Sequence, residues 1–269
     1  MGAVGDDDVW AALADPFVEG AYATVKGRVR TYVLHRQLTA HLPPPPATVL
    51  DVGGGAGHQS FPLARLGYEV VLLDSSETML AAARTRLAAE PDDVRARVRL
   101  VHERGEHAAA ATGGRRFDAV LCHGVLMYLD DPEPMLTALS DRAAGGGILS
   151  ILALNAETLA VRPALERRWA DALTAFDAHG EPGVLGPHTR ADTVDDLSRR
   201  LAAHGAEPLA WYGVWLFSDW MSLDADSDTD DTTDTAGSEF ARIAEVEREA
   251  AERDPYRRLS RVFHLVARR

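Results

Sequence analysis

Cysteine, lysine and asparagine each occur once in the 269 residues, as Cys122, Lys26 and Asn155. A lone cysteine cannot close an internal disulfide, which excludes a disulfide-stapled scaffold and fits a reducing, cytoplasmic setting. No run of about eighteen uninterrupted apolar residues is present, so an ordinary membrane-spanning helix is excluded. The N-terminus places Asp6, Asp7 and Asp8 where a secretory signal would carry basic and apolar regions. Aromatic residues are sparse at 7%, but apolar residues reach 46%, sufficient for one substantial core at this length. Arginine and alanine are abundant instead of lysine and asparagine, a compositional bias. Under that bias Lys26 and Asn155 are candidates for a chemical role, although a lone residue must also fall somewhere.

The formal net charge of −13 is unevenly placed. Between Asp219 and Asp234 there are seven aspartates and no basic residue. The Asp/Ser/Thr-rich stretch 222–238 has almost nothing to bury and is expected to be a mobile acidic loop. Residues 20–46 hold Lys26, Arg28, Arg30 and Arg36 without an acid, and the last seventeen residues hold six arginines against Asp254. An acidic total therefore does not exclude an anionic ligand at a local basic face.

Apolar spacing through Val29, Val33, Leu34 and Leu38 predicts a helix within 9–41, ended by the proline run 43–46. Strand and helix patterns then alternate. Strands are expected at Thr48–Val52, Glu69–Leu73, Val98–His102, Phe117–Cys122 and Gly147–Leu152. Helices are expected at Ser60–Leu66, at Glu77–Ala88 (capped by Ser75 or Ser76) and at Glu133–Arg142. Continuous apolar strands between amphipathic helices specify an α/β fold with a parallel sheet covered on both faces. Beyond Asn155 the rhythm changes. Residues 156–190 read as a partly helical, strand-free cap bearing arginines. A helix at Asp192–His204, a strand ending near Phe217, a helix at Glu239–Arg253 and a strand at Arg261–Val266 complete a single domain over 1–269. Its N-terminal helical segment is 1–47.

The segment Val49-Leu50-Asp51-Val52-Gly53-Gly54-Gly55-Ala56-Gly57-His58 carries the chemistry. An apolar strand ends in an acid, and Gly53, Gly55 and Gly57 alternate before a helix. Such glycines let the backbone turn sharply and approach a ligand without Cβ interference; a glycine-rich surface turn is the bland alternative. A G-x-G-x-x-G dinucleotide fingerprint fails, because counting from Gly53 ends at His58 and from Gly55 at Ser60. The Gly-Lys-Ser/Thr ending of a phosphate-binding P-loop is also missing.

Asp74 ends the second apolar strand, about twenty residues after the glycines, where a carboxylate can accept from both hydroxyls of a ribose. It can also serve as a helix cap. Met79 can pack on a base or in the core. Gly105 and Glu106 follow the third strand, where an acid can accept from an adenine amino group or face solvent. His123 follows the fourth and can contact a ligand, act as a general base, or be an ordinary buried histidine.

The D-x-G-x-G-x-G spelling resembles the first motif of class I S-adenosylmethionine-dependent methyltransferases, whose loop holds the amino-acid part of the cofactor. Within that class the chain is similar to the tRNA 5-carboxymethoxyuridine methyltransferases. The likeness rests on Tyr22-Ala23-Thr24-Val25-Lys26-Gly27-Arg28-Val29-Arg30, on the core through Asn155-Ala156, and on Asp254-Pro255-Tyr256. It implies a Rossmann-like seven-stranded class I methyltransferase sheet with N-terminal helices and a cap insertion. It also implies S-adenosyl-L-methionine as cofactor, held by Arg30, Gly53, Gly54, Asp74, Gly105, Glu106 and His123, with Gly55 and Gly57 completing the loop. Arg30 would pair with the methionine carboxylate. The implied reaction is O-methylation of a carboxylate, which needs no metal and no general base; a hydroxyl acceptor would want His123 as base. Tyr22, Lys26, Asn155 and Arg162 are the candidate substrate contacts. The acceptor is tRNA or a small molecule: the cap segment 179–183 lacks the lysines of the tRNA enzymes, and the acidic loop would repel phosphates. The alternative is therefore a small-molecule methyltransferase on the same scaffold. No membrane partner is expected.

Overall fold

The computed structural model describes residues 22, 24–183, 188–220 and 238–269. The acidic loop 222–238, except for Ser238, and the first part of the N-terminal segment lie outside the described residues.

Among the described residues nine strands follow in chain order: β1 Thr48–Val52, β2 Glu69–Asp74, β3 Val98–His102, β4 Phe117–His123, β5 Ala143–Leu154, β6 Gly180–Pro182, β7 His188–Arg190, β8 Glu207–Val214 and β9 Val262–Arg268. Seven of them form one sheet in the order β3-β2-β1-β4-β5-β9-β8. The pairs from β3 through β5 are parallel, and β9 runs antiparallel to both of its neighbours. Strand order reverses between β1 and β4, and at such a reversal connections leave toward opposite faces and open a crevice at the strands' carboxyl ends.

Side-chain alternation divides the core. Leu50, Val52, Val71, Leu73, Val120 and Cys122 pack with Met135, Leu136, Leu139, Leu197 and Leu201 of two helices on one face. Val49, Val70, Ala119 and Leu121 pack with Leu38, Leu63 and Ala64 on the other. The helix Val25–Thr39 lies on this second face; Thr24 caps it by accepting from the Gly27 N–H at 3.1 Å. Ser76, not Ser75, caps Glu77–Ala88, accepting from Met79.

Three expectations are corrected. The cap is not strand-free, because β6 and β7 form an antiparallel ribbon. Strands of three residues that include Gly180 and Pro182 are too short to show a period of two. β5 starts at Ala143, well before Gly147, since Ala143 pairs with Phe117 across an irregularity that the glycines conceal in the sequence. The strand expected to end near Phe217 stops at Val214, where Trp215 adopts φ 61° and a short helix, Phe217–Trp220, begins. A bulky residue in the left-handed region cannot continue a strand. Among the described residues, no helix is long and apolar enough to cross a membrane.

Candidate active site

The crevice between the ends of β1 and β4 is a pocket lined by Tyr22, Arg30, Asp51, Gly53, Gly54, His58, Gln59 and His123, with Thr31 and Leu34. Its floor is the glycine loop. Gly53 turns at φ 69°, and a Cβ there would lie 2.3 Å from Val125 Cγ2. Gly55 turns at φ 54° and would strike Met79. These positions need glycine for the turn and for the packing beneath it. The Gly53 N–H donates to the Leu73 carbonyl at 2.7 Å, and the Gly55 N–H donates to Asp74 Oδ2 at 2.8 Å.

Asp74 therefore holds the loop as well as its own helix turn, since its Oδ1 accepts from the Ser76 N–H at 2.9 Å. A carboxylate offers about four acceptor positions, so these bonds are compatible with further acceptance from vicinal hydroxyls. Beneath it, Asp51 accepts from the Ser60 hydroxyl at 2.6 Å. Burial and the nearby Asp74 raise the Asp51 carboxyl to about 6. Gly105 is buried, and a Cβ there would meet Met135 and Val52. Glu106 stays partly exposed, 3.7 Å from Arg104.

The helix Val25–Thr39 forms one wall. Gln59, at the start of the post-loop helix, donates to the Thr31 carbonyl at 3.1 Å and meets His35 Nδ1 at 3.1 Å, tying the wall to the glycine loop. Arg30 projects from that helix, 8% exposed, with its guanidinium carbon 5.2 Å from the Tyr22 ring centroid and 5.1 Å from that of Trp215. No carboxylate among the described residues pairs with it, and its Nε has no hydrogen-bond partner. A buried, unneutralised guanidinium is costly by itself and is suited to an anionic ligand such as the carboxylate of an amino acid. Tyr22 stacks on His58 with ring centroids 3.7 Å apart.

Both pocket histidines are held neutral. Burial first, then Arg86 and Arg30, pushes His58 down to about 3. Burial and Arg30 do the same to His123, also to about 3. His123 Nε2 meets Ser150 Oγ at 2.8 Å, whereas its Nδ1 is buried without a partner among the described residues. At neutral pH it is a weak base.

Beyond Trp215 lies a cationic cluster. Lys26 and Arg162 both pair with Asp219, whose side chain is 2% exposed. The Lys26 ammonium lies 4.8 Å from the Trp215 ring centroid, so Trp215 is in contact with both this cluster and Arg30. Burial is the main cause of a lowered Lys26 pKa, which Asp219 opposes. Arg261, paired with Glu181, is close enough for its charge to act on Lys26 and is itself lowered to about 10 by burial and by Arg162.

Of the candidate substrate contacts, Tyr22 joins the pocket, and Lys26 and Arg162 meet on one carboxylate. Asn155 does not join them. It is 1% exposed, its amide donates to the carbonyls of Arg258 and Ser260, and it accepts from the Glu157 N–H. That makes it a fastener between β5 and the C-terminal segment. His58, Gln59, Trp215 and Asp219 were not singled out from sequence. His58 and Gln59 follow the glycines directly, a usable signal; Trp215 and Asp219 arrive from a distant segment and carry none.

Residues 50–149 match the family described as Methyltransferase domain. The chain belongs to the class I S-adenosylmethionine-dependent methyltransferases and is an enzyme of that class. It is 26% identical to the tRNA 5-carboxymethoxyuridine methyltransferase of Escherichia coli (strain K12), over 96% of this chain and 94% of that protein. It is 38% identical to the ubiquinone biosynthesis O-methyltransferase of Dinoroseobacter shibae, over 66% of this chain and 68% of that one. A glycopeptide N-methyltransferase, MtfA, solved in complex with S-adenosylmethionine, superposes with a TM-score of 0.54 at 19% identity, covering 87% of this chain and 91% of that one. S-adenosylmethionine is the cofactor, and Arg30, which no carboxylate among the described residues neutralises, fits its zwitterionic end beside the glycine loop.

Proposed function

We propose that this enzyme methylates a carboxylate oxygen, giving a methyl ester. The observation that carries this reading is the contrast between the pocket histidines and the neighbouring cationic cluster. In the pocket, His58 and His123 are too weakly basic to take a proton from a hydroxyl at neutral pH. In the cluster, Lys26, Arg162 and Arg261 gather around the carboxylates of Asp219 and Glu181. A carboxylate acceptor is already ionised, needs no base and is attracted by such a cluster. The resemblance to a carboxymethoxyuridine enzyme over nearly the whole chain points the same way.

When bound, S-adenosylmethionine supplies a methyl group activated by its sulfonium. Arg30 would receive its carboxylate, the Gly53–Gly57 loop would pass against its amino-acid portion, Asp74 would accept from the ribose hydroxyls, and Glu106 would accept from the adenine amino group. Lys26 and Arg162 would orient the acceptor, with Tyr22 on the pocket side. Because no proton moves, alignment of the acceptor oxygen with the methyl group is the main demand on the protein.

The acceptor carrier is a tRNA in this reading. A small-molecule hydroxyl is the second reading, favoured by the likeness to ubiquinone biosynthesis O-methyltransferases. The test offers radiolabelled cofactor with total tRNA or with a small-molecule extract, then treats the labelled product with mild alkali. A methyl ester releases labelled methanol. An alkali-stable product overturns the carboxylate reading, and label confined to the small-molecule extract overturns tRNA.

A further inference from the structure

A buried polar chain crosses the sheet beneath His123. His123 closes β4, Ser150 lies in β5 and His264 in β9, and all three project toward the helix Val25–Thr39. His123 Nε2 is 2.8 Å from Ser150 Oγ, and the same oxygen is 2.8 Å from His264 Nε2. His264 Nδ1 is 3.0 Å from Gln37 Oε1, and Gln37 Nε2 donates to the Gly213 carbonyl at 3.2 Å. Ser150 and His264 are fully buried and Gln37 is 5% exposed, so water cannot satisfy these three.

The chain has one consistent set of proton positions. The Gly213 carbonyl accepts only, so the Gln37 amide nitrogen faces it and Oε1 faces His264. His264 must then donate from Nδ1. Burial, with His123 and His41 nearby, holds His264 neutral, which leaves its Nε2 as a lone pair. The single Ser150 proton goes to that lone pair, and Ser150 Oγ accepts from His123 Nε2–H. His123 is left with a bare lone pair on Nδ1, the ring atom that is buried without a partner among the described residues. The pocket thus sets a donor-only group, Arg30, beside an acceptor-only group, His123 Nδ1.

We propose that Gln37, His264 and Ser150 are positioning residues that fix His123 as its Nε2–H tautomer, so that Nδ1 receives the ammonium group of the cofactor's methionine end. The inference rests on the reading that Arg30 takes the carboxylate of that end. Together the two side chains match an α-amino acid zwitterion, one charge each.

Nitrogen NMR of histidine-labelled protein without ligand tests the relay, with the His123 signals assigned by their loss in His123→Gln. The expected result is a protonated Nε2 and an unprotonated Nδ1, converted to a tautomer mixture in Ser150→Ala. A protonated Nδ1 in the native protein, or an unchanged tautomer in Ser150→Ala, overturns the relay. Gln37→Leu, which touches neither His123 nor Ser150, should give the same mixture, and Gln37→Glu should restore the single tautomer. Calorimetry with S-adenosylhomocysteine and its desamino analogue tests the ligand. Ser150→Ala should weaken the first by about 2- to 12-fold and the second by less than about twofold. Equal losses would show a merely structural role and overturn the proposal. Equal native affinity for the two ligands would overturn the zwitterion reading beneath it, a failure separate from the NMR result.

Discussion

Replacing Arg30 with Met removes a guanidinium that is 8% exposed and has no carboxylate partner among the described residues. Two separate consequences follow. Without ligand, the substitution relieves the desolvation cost of a buried cation but loses ring contacts to Tyr22 and Trp215, worth about 0.5–2 kcal/mol each. The unfolding free energy should therefore change by no more than about 1 kcal/mol, because the terms offset. With ligand, a charge-assisted contact to the methionine carboxylate disappears, costing about 1.5–3 kcal/mol, or about 12- to 150-fold in affinity. Thermal melts of the ligand-free protein and calorimetric titration with S-adenosylhomocysteine give both numbers. Affinity that falls less than about twofold would refute the carboxylate role. A large fall in ligand-free stability would refute the claim that this cation is held at a cost, and would make Arg30 structural.

Asp74→Ala should weaken S-adenosylhomocysteine by about 1.5–3 kcal/mol through the ribose bonds, and unchanged affinity by calorimetry would remove Asp74 from the site. Arg162→Gln should raise the acceptor KM by about tenfold or more while cofactor affinity stays within about twofold; a change confined to the cofactor would refute its placement. The Asp51 carboxyl titrates near 6 when folded and 3.8 when unfolded. Between these values the folded chain keeps a proton that the unfolded chain releases, so this group lowers stability as pH rises from about 4 to 6, by up to about 3 kcal/mol. Asp51→Asn should abolish that component, so its stability advantage over the native protein must grow across that window in ligand-free melts. His58 and His123 act oppositely. From about pH 6.5 down to 3 the unfolded chain binds protons that the folded chain refuses, and stability falls with falling pH. A ligand-free His58→Gln variant should lose part of that acid sensitivity.

Local pattern was enough for much of this protein. The apolar runs from Val49 to Leu152 and the helices between them specify a parallel sheet, because strands buried on both faces leave no room for polar alternation. The glycines at 53, 55 and 57 and the acid at 74 are legible for a related reason: a sharp turn at a strand end and a carboxylate at the next strand end depend on backbone geometry within about twenty residues. Tertiary structure decided what depends on distant pairings. Asn155 reads as a candidate ligand contact by its rarity, yet its amide fastens to Arg258 and Ser260, more than a hundred residues away. Asp219 reads as the first member of an acidic run, yet it is buried between Lys26 and Arg162. Which ring nitrogen of His123 carries the proton is set by Ser150, His264 and Gln37, which three strands and a helix bring together. Burial and charge proximity are properties of that assembly, and no local stretch of sequence contains them.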